Sequence, residues 1–396
     1  MFPTDVVIVG GMRTPMARYT GAFSEVSAID LGAHAAKAAM QKSGVPAEDF
    51  DHVVFGNVLQ TSADAIYGAR HVGLKAGLKI ETPAVTVNRL CGSGIEAIVQ
   101  ASQRLLLGEA NMVLAGGMEN MTQAPFVIRG ARAGLKLGGG ALEDFLFVGL
   151  TDSYCGMPMA LTAEKLAEQT GVTRTDADEY ALRSQQAADE AAKAGFFQSE
   201  ISPVEVKQGR KTLLVSEDDH RRPETTIETL QKLPPSFKKD GMVTAGNASG
   251  IVDGAAAVVV TRERTARERG LKPIGRIVSW SVAGVDPTIM GIGPVPASRK
   301  ALQQAGLTLS QIDRIEANEA FAAQYLAVEK ELGLPRDKTN VNGGAIALGH
   351  PLGASGTRLV ITLLNELRRK GLRYGLATAC IGGGQGIAMI VEALSS

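Results

Sequence analysis

Two cysteines, one histidine and one asparagine stand at junctions between a loop and a regular element, and side chains of these types can serve as nucleophile, acid, base or hydrogen-bonding group. Cys91 opens Cys91-Gly92-Ser93-Gly94, after a predicted strand and at the head of a predicted helix. Free backbone N–H groups and the positive end of a helix dipole favour a thiolate there, and a thiolate is a nucleophile. The alternative is a buried cysteine that only fills space. Cys380 lies in Ala379-Cys380-Ile381-Gly382-Gly383-Gly384-Gln385-Gly386, where a strand ends in a sulfur and passes into glycines. Bare N–H groups in such a run can form an oxyanion hole. Three successive glycines are costly in chain entropy unless backbone must approach something, which speaks against a mere turn with a packed cysteine. His350 is the one histidine of five in a glycine-flanked, apolar loop before a helix. His34 lies in an alanine-rich helix, and His52, His71 and His220 lie in polar surroundings; no pair has zinc-ligand spacing. Asn318, in Asn318-Glu319-Ala320-Phe321, follows another predicted strand. Its spacing favours a helix cap over a group that holds a water or carbonyl oxygen.

One motif competes with this chemistry. Gly92-x-Gly94-x-x-Ala97 fits the loose dinucleotide fingerprint, with Glu119 beyond it where a ribose-binding acid would be sought. The pattern has only three positions in a glycine-rich chain, and two strands and a helix precede it, so it is the weaker reading.

The elements that must position these residues alternate in type. Apolar runs at 6–9, 53–55, 84–87 and 112–115 read as buried strands, with a helix over 94–107, and the alternation resumes at 255–260 and 274–281. Residues 122–247 differ: they carry Gly138-Gly139-Gly140, a long polar helix over 175–194 and the Pro234-Pro235 break, and read as an insertion outside the sheet. The two ends of the chain resemble each other. Thr86-Val87-Asn88 leads to the Cys91 turn, a helix and Val113-Leu114-Ala115-Gly116-Gly117; Thr339-Asn340-Val341-Asn342 leads to the His350 turn, a helix over 354–369 and Leu376-Ala377-Thr378-Ala379-Cys380. Asp51-His52-Val53-Val54 likewise has a counterpart in Asp313-Arg314-Ile315-Glu316. A duplicated α/β unit would bring its special loops together near a pseudo-twofold axis.

Composition sets the bounds. The 396 residues have room for two or three domains, with 45% hydrophobic and 21% charged residues. Lys plus Arg and Asp plus Glu are both 41, so the net charge is zero and no basic excess points to nucleic acid; aromatics are only 5%. Glycine, at 46 residues, is about 12% against a usual value near 7%, which implies many tight turns or close backbone approaches. Three cysteines (Cys91, Cys155, Cys380) are too few for a disulfide framework and fit a reducing compartment. No apolar run approaches the ~18 residues of a membrane span. Met1-Phe2-Pro3-Thr4 runs at once into the strand-like Asp5-Val6-Val7-Ile8-Val9, without signal-peptide character. A soluble intracellular protein is expected.

In combination the motifs resemble those of the thiolases, nearly end to end. They are Asn88-Arg89-Leu90-Cys91-Gly92-Ser93-Gly94, Gly116-Gly117-Met118-Glu119-Asn120-Met121, Ala245-Gly246-Asn247-Ala248-Ser249-Gly250, Asn318-Glu319-Ala320-Phe321, Gly343-Gly344-Ala345-Ile346-Ala347-Leu348-Gly349-His350-Pro351, and the Cys380 run to Gly386. The resemblance implies two βαβαβαββ core domains in a five-layered αβαβα arrangement, residues 1–121 plus 248–271 and residues 272–396, with a loop domain at 122–247. It implies Cys91 as the acylated nucleophile, His350 as its activator, and Cys380 as the acid/base at the acetyl carbon. Asn318 would hold a water that forms one oxyanion hole with His350, and the N–H groups of Cys91 and Gly382 would form a second. No tightly bound cofactor is implied; coenzyme A is a co-substrate, expected to meet Arg222, Thr225, Ser249, Ala245, Phe321 and Met159.

Gly156-Met157-Pro158-Met159-Ala160 has proline where the short-chain acetoacetyl-CoA type has histidine. In this it looks like the mitochondrial-type 3-ketoacyl-CoA thiolases, as do Leu230-Gln231-Lys232-Leu233-Pro234-Pro235 and Ile289-Met290-Gly291-Ile292-Gly293-Pro294-Val295-Pro296. The alternatives are biosynthetic acetoacetyl-CoA formation and a non-catalytic acyl-CoA carrier. A ketosynthase shares the doubled fold but would have histidine or asparagine in place of Cys380. The family further implies a homodimer or homotetramer, with 129–137 as a tetramer contact, in the bacterial cytoplasm or the mitochondrial matrix.

Overall fold

The computed structural model describes residues 5–394; Met1-Phe2-Pro3-Thr4, expected to lead directly into the first strand, lie outside them, as do Ser395 and Ser396. The first half runs β1 (Val6–Arg13), α1 (Ala28–Ser43), β2 (His52–Gly56), α2 (Gly68–Ala76), β3 (Ala84–Val87), α3 (Ser93–Leu107) and β4 (Met112–Glu119). Residues 120–251 then leave the main sheet and carry α4 (Phe145–Gly149), α5 (Met159–Thr170), α6 (Arg174–Lys193) and three two-stranded ribbons. β5 (Val252–Arg262) returns to the sheet. The second half runs β6 (Gly275–Gly284), α7 (Pro294–Ala305), β7 (Arg314–Ala317), α8 (Ala322–Leu332), α9 (Leu352–Lys370), β8 (Tyr374–Ile381) and β9 (Gln385–Ala393).

The strand order is β7-β8-β9-β6-β1-β5-β4-β2-β3, and the short pair Ala17–Arg18 adds a tenth strand against β5. Read outward from the middle, β1-β5-β4-β2 and β6-β9-β8-β7 are the same pattern. In each, two antiparallel steps are followed by a parallel one. The halves meet edge to edge through only two residue pairs, Val7↔Arg276 and Ile8↔Gly275, a narrow join between strand layers that lie on either side of α3 and α9. The resemblance extends to side chains. Asp51 accepts from the Asn111 and Met112 amides at the start of β4, and Asp313 accepts from Arg373 and Tyr374 at the start of β8.

Period-two alternation on strands buried on both faces builds the layers. On β5, Ala256, Val258 and Val260 belong to a core shared with α3, α9 and strands of both halves, whereas Ala255, Ala257 and Val259 pack under α1 and α2. A third core lies under α7 and α8 on the other outer face. The result is five layers, αβαβα, with α3 and α9 in the middle. Residues 122–247 contribute nothing to the main sheet, as expected of an insertion. They are tied down by a buried ion cluster: Arg13 of β1 donates to both oxygens of Asp218 (2.7 and 2.8 Å) and to Glu200 (2.8 Å), and Glu200 also accepts from Thr362 of α9.

The central helices touch at backbone distance. A β-carbon at Gly94 would lie 2.4 Å from the Thr357 amide nitrogen, and one at Gly356 would lie 2.4 Å from that of Ile95. A β-carbon at Gly117 would lie 1.8 Å from the Gly353 carbonyl oxygen. Any side chain there drives the helices apart, and both N-termini carry residues of the site. Gly356→Ala is therefore expected to destabilise the protein by about 1–3 kcal/mol, the usual cost of overpacking, and to lower kcat. Denaturant unfolding and turnover on the same sample check this, and an unchanged midpoint with unchanged kcat would contradict it.

Candidate active site

Cys91 sits in a single 3₁₀ turn, Leu90–Gly92, between β3 and α3. Leu90 adopts a left-handed backbone (φ 46°), which is strained for a side chain of its kind. The turn holds it there: Asn88 accepts from the Leu90 amide (3.0 Å), and Ser93 donates to the Leu90 carbonyl (2.7 Å) while accepting from the Arg89 amide (2.9 Å). Arg89 reaches across to Gln385 of the second half (3.0 Å). The half-buried Cys91 packs against Leu59, Met121, Leu146 and Leu352.

Cys380 comes from the end of β8, fully buried among Met290 and Ala320, with Met159 and Phe321 beside it. The Cys91 turn packs against the chain that follows Cys380: a β-carbon at Gly92 would lie 2.6 Å from Ile381 Cδ1. The chain then turns through Gly383 and Gly384, both with positive φ (77° and 80°). This turn presents the Gly382 amide to the Cys91 sulfur, toward which the Cys91 amide also points. Met159 lies over Gly382, its sulfur 3.2 Å from where a β-carbon would be.

His350 and Asn318 complete the group. Both are buried, with Asn318 Nδ2 3.3 Å from His350 Nε2. His350 Nδ1 contacts Ser355 Oγ, whose one proton is donated to the Pro351 carbonyl (3.0 Å). That network assigns the imidazole proton to Nδ1 and leaves Nε2 as a lone pair facing the site. Asn318 Oδ1 is buried with no partner, an acceptor aimed at a group the protein does not supply. Its spacing suggested a helix cap, but the N-cap of α8 is Phe321, without a side-chain bond; Asn318 instead turns toward His350.

Electrostatically the site is quiet. Burial pushes Cys91 up to about 11, with Glu119 adding to the effect and the Gly382 and Cys91 amides opposing it. Burial also raises Cys380 well above the ordinary thiol range. His350 is pulled down to about 3 by burial and by Arg358. The thiolate expected from the helix start is thus absent at neutral pH, because desolvation outweighs the few N–H dipoles that reach the sulfur.

Two buried carboxylates pin the loops; the sequence offered Glu119 only as a ribose-binding acid and gave Glu319 no role. Glu119 accepts from the amides of Val58 (3.1 Å), Leu59 (2.9 Å) and Gly353 (2.8 Å) and from Asn57 (3.1 Å), joining the halves. It has no exposure left for a ribose, so the dinucleotide reading falls. Glu319 accepts from Tyr180 (2.7 Å), Ser184 (2.7 Å), Asn340 (3.0 Å) and the Ile346 amide (3.2 Å), locking the segment that carries Asn318. Such acids are invisible in sequence because their partners are distant: mostly main chain for Glu119, and side chains from other segments for Glu319.

Arg222, Thr225 and Ala245 line one cavity of about 200 Å³ with Gln185, His220 and Glu224. Thr225 donates to the Arg222 carbonyl (2.7 Å), and Gln185 accepts from the Arg222 amide (2.9 Å). His220, which the sequence placed in plain polar surroundings, lies against Gly250, where a β-carbon would be 2.3 Å from its ring. Ser249 lies outside that cavity. Its amide donates to the Ala320 carbonyl (3.0 Å) beside the Ala248↔Phe321 bridge, between the cavity and Cys380. A larger open groove of about 990 Å³, between the C-terminus of α9 and the end of β9, contains none of these residues. No described residues form a cluster suited to a metal ion, and no described helix is long and apolar enough to cross a membrane. The arrangement offers a thiol with backbone N–H donors around it, a second buried thiol and an imidazole, groups suited to forming a thioester and moving protons.

Comparison with known proteins agrees with this chemistry. Residues 6–264 match the thiolase N-terminal domain and residues 271–393 the thiolase C-terminal domain. The human mitochondrial 3-ketoacyl-CoA thiolase is 54% identical over 390 residues, covering 98% of each chain. The Escherichia coli (strain K12) acetyl-CoA acetyltransferase is 49% identical over 393 residues, covering 99% of this chain and all of the other. The crystal structure of the human mitochondrial enzyme superposes with a TM-score of 0.97 at 53% identity, covering 99% of both chains. A second crystal structure of that enzyme, in complex with CoA, gives 0.96 at 53% identity, covering 99% of this chain and 98% of that one. From its doubled fold, its converging thiols and these likenesses, the chain belongs to the thiolase family.

Proposed function

We propose that this chain is a 3-ketoacyl-CoA thiolase, an acetyl-CoA C-acyltransferase that uses coenzyme A to cleave a 3-ketoacyl-CoA into acetyl-CoA and an acyl-CoA shorter by two carbons. The observation that carries the reading is the packing of the Cys91 turn against the Cys380–Gly382 segment of the other half, together with the buried His350–Asn318 pair.

Cys91 gives its proton to His350 Nε2 and its sulfur bonds to C3 of the substrate. The C3 oxyanion accepts from the Cys91 and Gly382 amides, donors already in place before reaction. The C2–C3 bond then breaks and its electron pair passes to C2, conjugated with the thioester oxygen. That oxygen accepts from protonated His350 and from a water held by Asn318, whose orphan Oδ1 supports such a water. Cys380 protonates C2, acetyl-CoA leaves, and the shortened acyl group stays on Cys91. Incoming CoA gives its thiol proton to Cys380 and attacks the thioester; Cys91 departs and recovers its proton from His350. The cycle is ping-pong and its reverse is a Claisen condensation.

The raised thiols and lowered imidazole fit this order of events. Proton transfer from Cys91 to His350 is uphill in the empty site, so charge arises only as the oxyanion forms against its donors. Arg222 and Thr225 would meet the phosphate-bearing end of CoA, a guanidinium being suited to phosphate, with Ala245, Ser249, Phe321 and Met159 along the arm leading to the thioester. The domains are residues 1–121 plus 248–271, 122–247 and 272–396. The assembly is a homodimer or homotetramer: β3 is an edge strand open to pairing, and Phe126, Leu135, Leu137 and Leu142 stand exposed around 129–137. Its place is in fatty-acid β-oxidation, in the cytoplasm of a bacterium or in the mitochondrial matrix.

Labelling separates the two sulfurs. Incubation with radioactive acetyl-CoA is expected to leave a protein thioester that disappears in Cys91→Ser. Cys380→Ala should still acquire the label yet lose carbon–carbon cleavage by about 10²–10⁴-fold, the usual share of a general acid or base. Normal thiolysis by Cys380→Ala, or full labelling of Cys91→Ser, would overturn these roles. The free enzyme gives a pH test. Because only the thiolate alkylates and Cys91 titrates near 11, inactivation by iodoacetamide should rise about tenfold per unit between about pH 7 and pH 10 without levelling. A plateau below about pH 8 would mean a preformed thiolate–imidazolium pair.

A further inference from the structure

We infer that the apolar cluster around Cys91, closed by α4 against Leu59, is the seat of the acyl tail and sets its length; this rests on the thiolase reading above. The two sulfurs have separate apolar surroundings. Cys91 packs with Val58, Leu59, Leu146 and Leu150, whereas Cys380 packs with Met290, Ala320, Met159 and Phe321. The chemistry assigns different parts of the substrate to each. Cys91 bonds to C3, and the tail begins at the next carbon, so the tail must run along the walls next to Cys91 both before cleavage and as the acyl-enzyme. Cys380 protonates C2, on the acetyl side of the broken bond, and its neighbours meet only atoms shared by every substrate.

The Cys91 seat has one fixed wall and one lighter wall. Val58 and Leu59 are fixed because their amides donate to the buried Glu119 (3.1 and 2.9 Å). Opposite them lies α4, a helix of five residues, capped by Asp144 and inserting Leu146 while Phe147 stays 54% exposed. The walls touch at the far end, where a β-carbon at Gly149 would lie 2.8 Å from Leu59 Cδ2. The side chains that face Cys91 from both walls are aliphatic, and the Glu119 carboxylate behind the fixed wall is taken up by the backbone amides it accepts from, so the seat suits an alkyl chain, and the Leu59–Gly149 contact is where a longer chain is stopped.

The test compares kcat/KM on acetoacetyl-CoA with that on 3-ketohexanoyl-, 3-ketodecanoyl- and 3-ketohexadecanoyl-CoA. Leu59→Ala and Leu146→Ala should each raise the ratio of the longest substrate to acetoacetyl-CoA by roughly tenfold, the scale of a methylene-sized change in an apolar pocket. Leu59→Phe, which fills the seat, should lower the ratio for decanoyl and longer chains by a similar factor. Met290→Ala, in the Cys380 cluster, should change all substrates together and move the ratio less than about twofold. Ratios unmoved by all three wall variants, or moved as much by Met290→Ala, would overturn the assignment. Failure of the unaltered protein to cleave any of these esters would instead refute the thiolase reading.

Discussion

Everything in the site depends on two helices crossing at the distance of bare backbone. Gly94 faces Thr357 and Gly356 faces Ile95 so closely that neither position admits a methyl group. Because α3 begins just after Cys91 and α9 just after His350, this contact fixes the separation of the Cys91 turn from the His350 loop. Gly117 against Gly353 repeats the approach one layer away, at the end of β4. A side chain at any of these points would cost packing energy and would also open the site. The link between stability and chemistry is therefore steric and local.

Burial is the second constraint, and it follows from the first. Two α/β repeats pressed together along their central helices bury the groups between them, which favours their uncharged forms: thiols with raised pKa values and an imidazole with a lowered one. In such a medium an N–H aimed at a nascent oxyanion acts far more strongly than in water. The site holds its dipoles fixed and forms its charges late. Glu119 and Glu319 make that possible by accepting the backbone donors of the loops, which would otherwise lie buried without partners.

The duplication explains why the parts differ although the frames match. Both repeats start a helix near the centre, after the parallel strand β3 in the first and a single parallel bridge, Ile315↔Thr339, in the second, and both use an aspartate to close the adjacent strand. One repeat offers sulfur at the helix start, the other imidazole; the second sulfur comes from β8. Equivalent backbone positions thus hold complementary chemistry, and a pseudo-twofold axis brings them together without a long connecting loop. The insertion adds what the repeats lack, with the Arg222–Thr225 turn at one end and α4 over the acyl seat at the other.

Several features were legible in the residues alone, because they depend on short-range order. Apolar runs marked nearly every strand of the main sheet, the break at residue 122 marked the insertion, and Cys91, His350 and Cys380 stood out by their glycine-rich loops. Local order misled where a side chain's partner is distant: Asn318 has the spacing of a cap yet turns to His350, and His220 reads as surface yet packs on Gly250. Glu119 and Glu319 carry no local signature, since what they hold is main chain or side chains delivered by distant segments. The linear text determined which groups were available and in what frames. Only the packed molecule decided their protonation, because desolvation is a property of the whole surrounding shell and the helix-start dipole that favours a thiolate is too weak to oppose it.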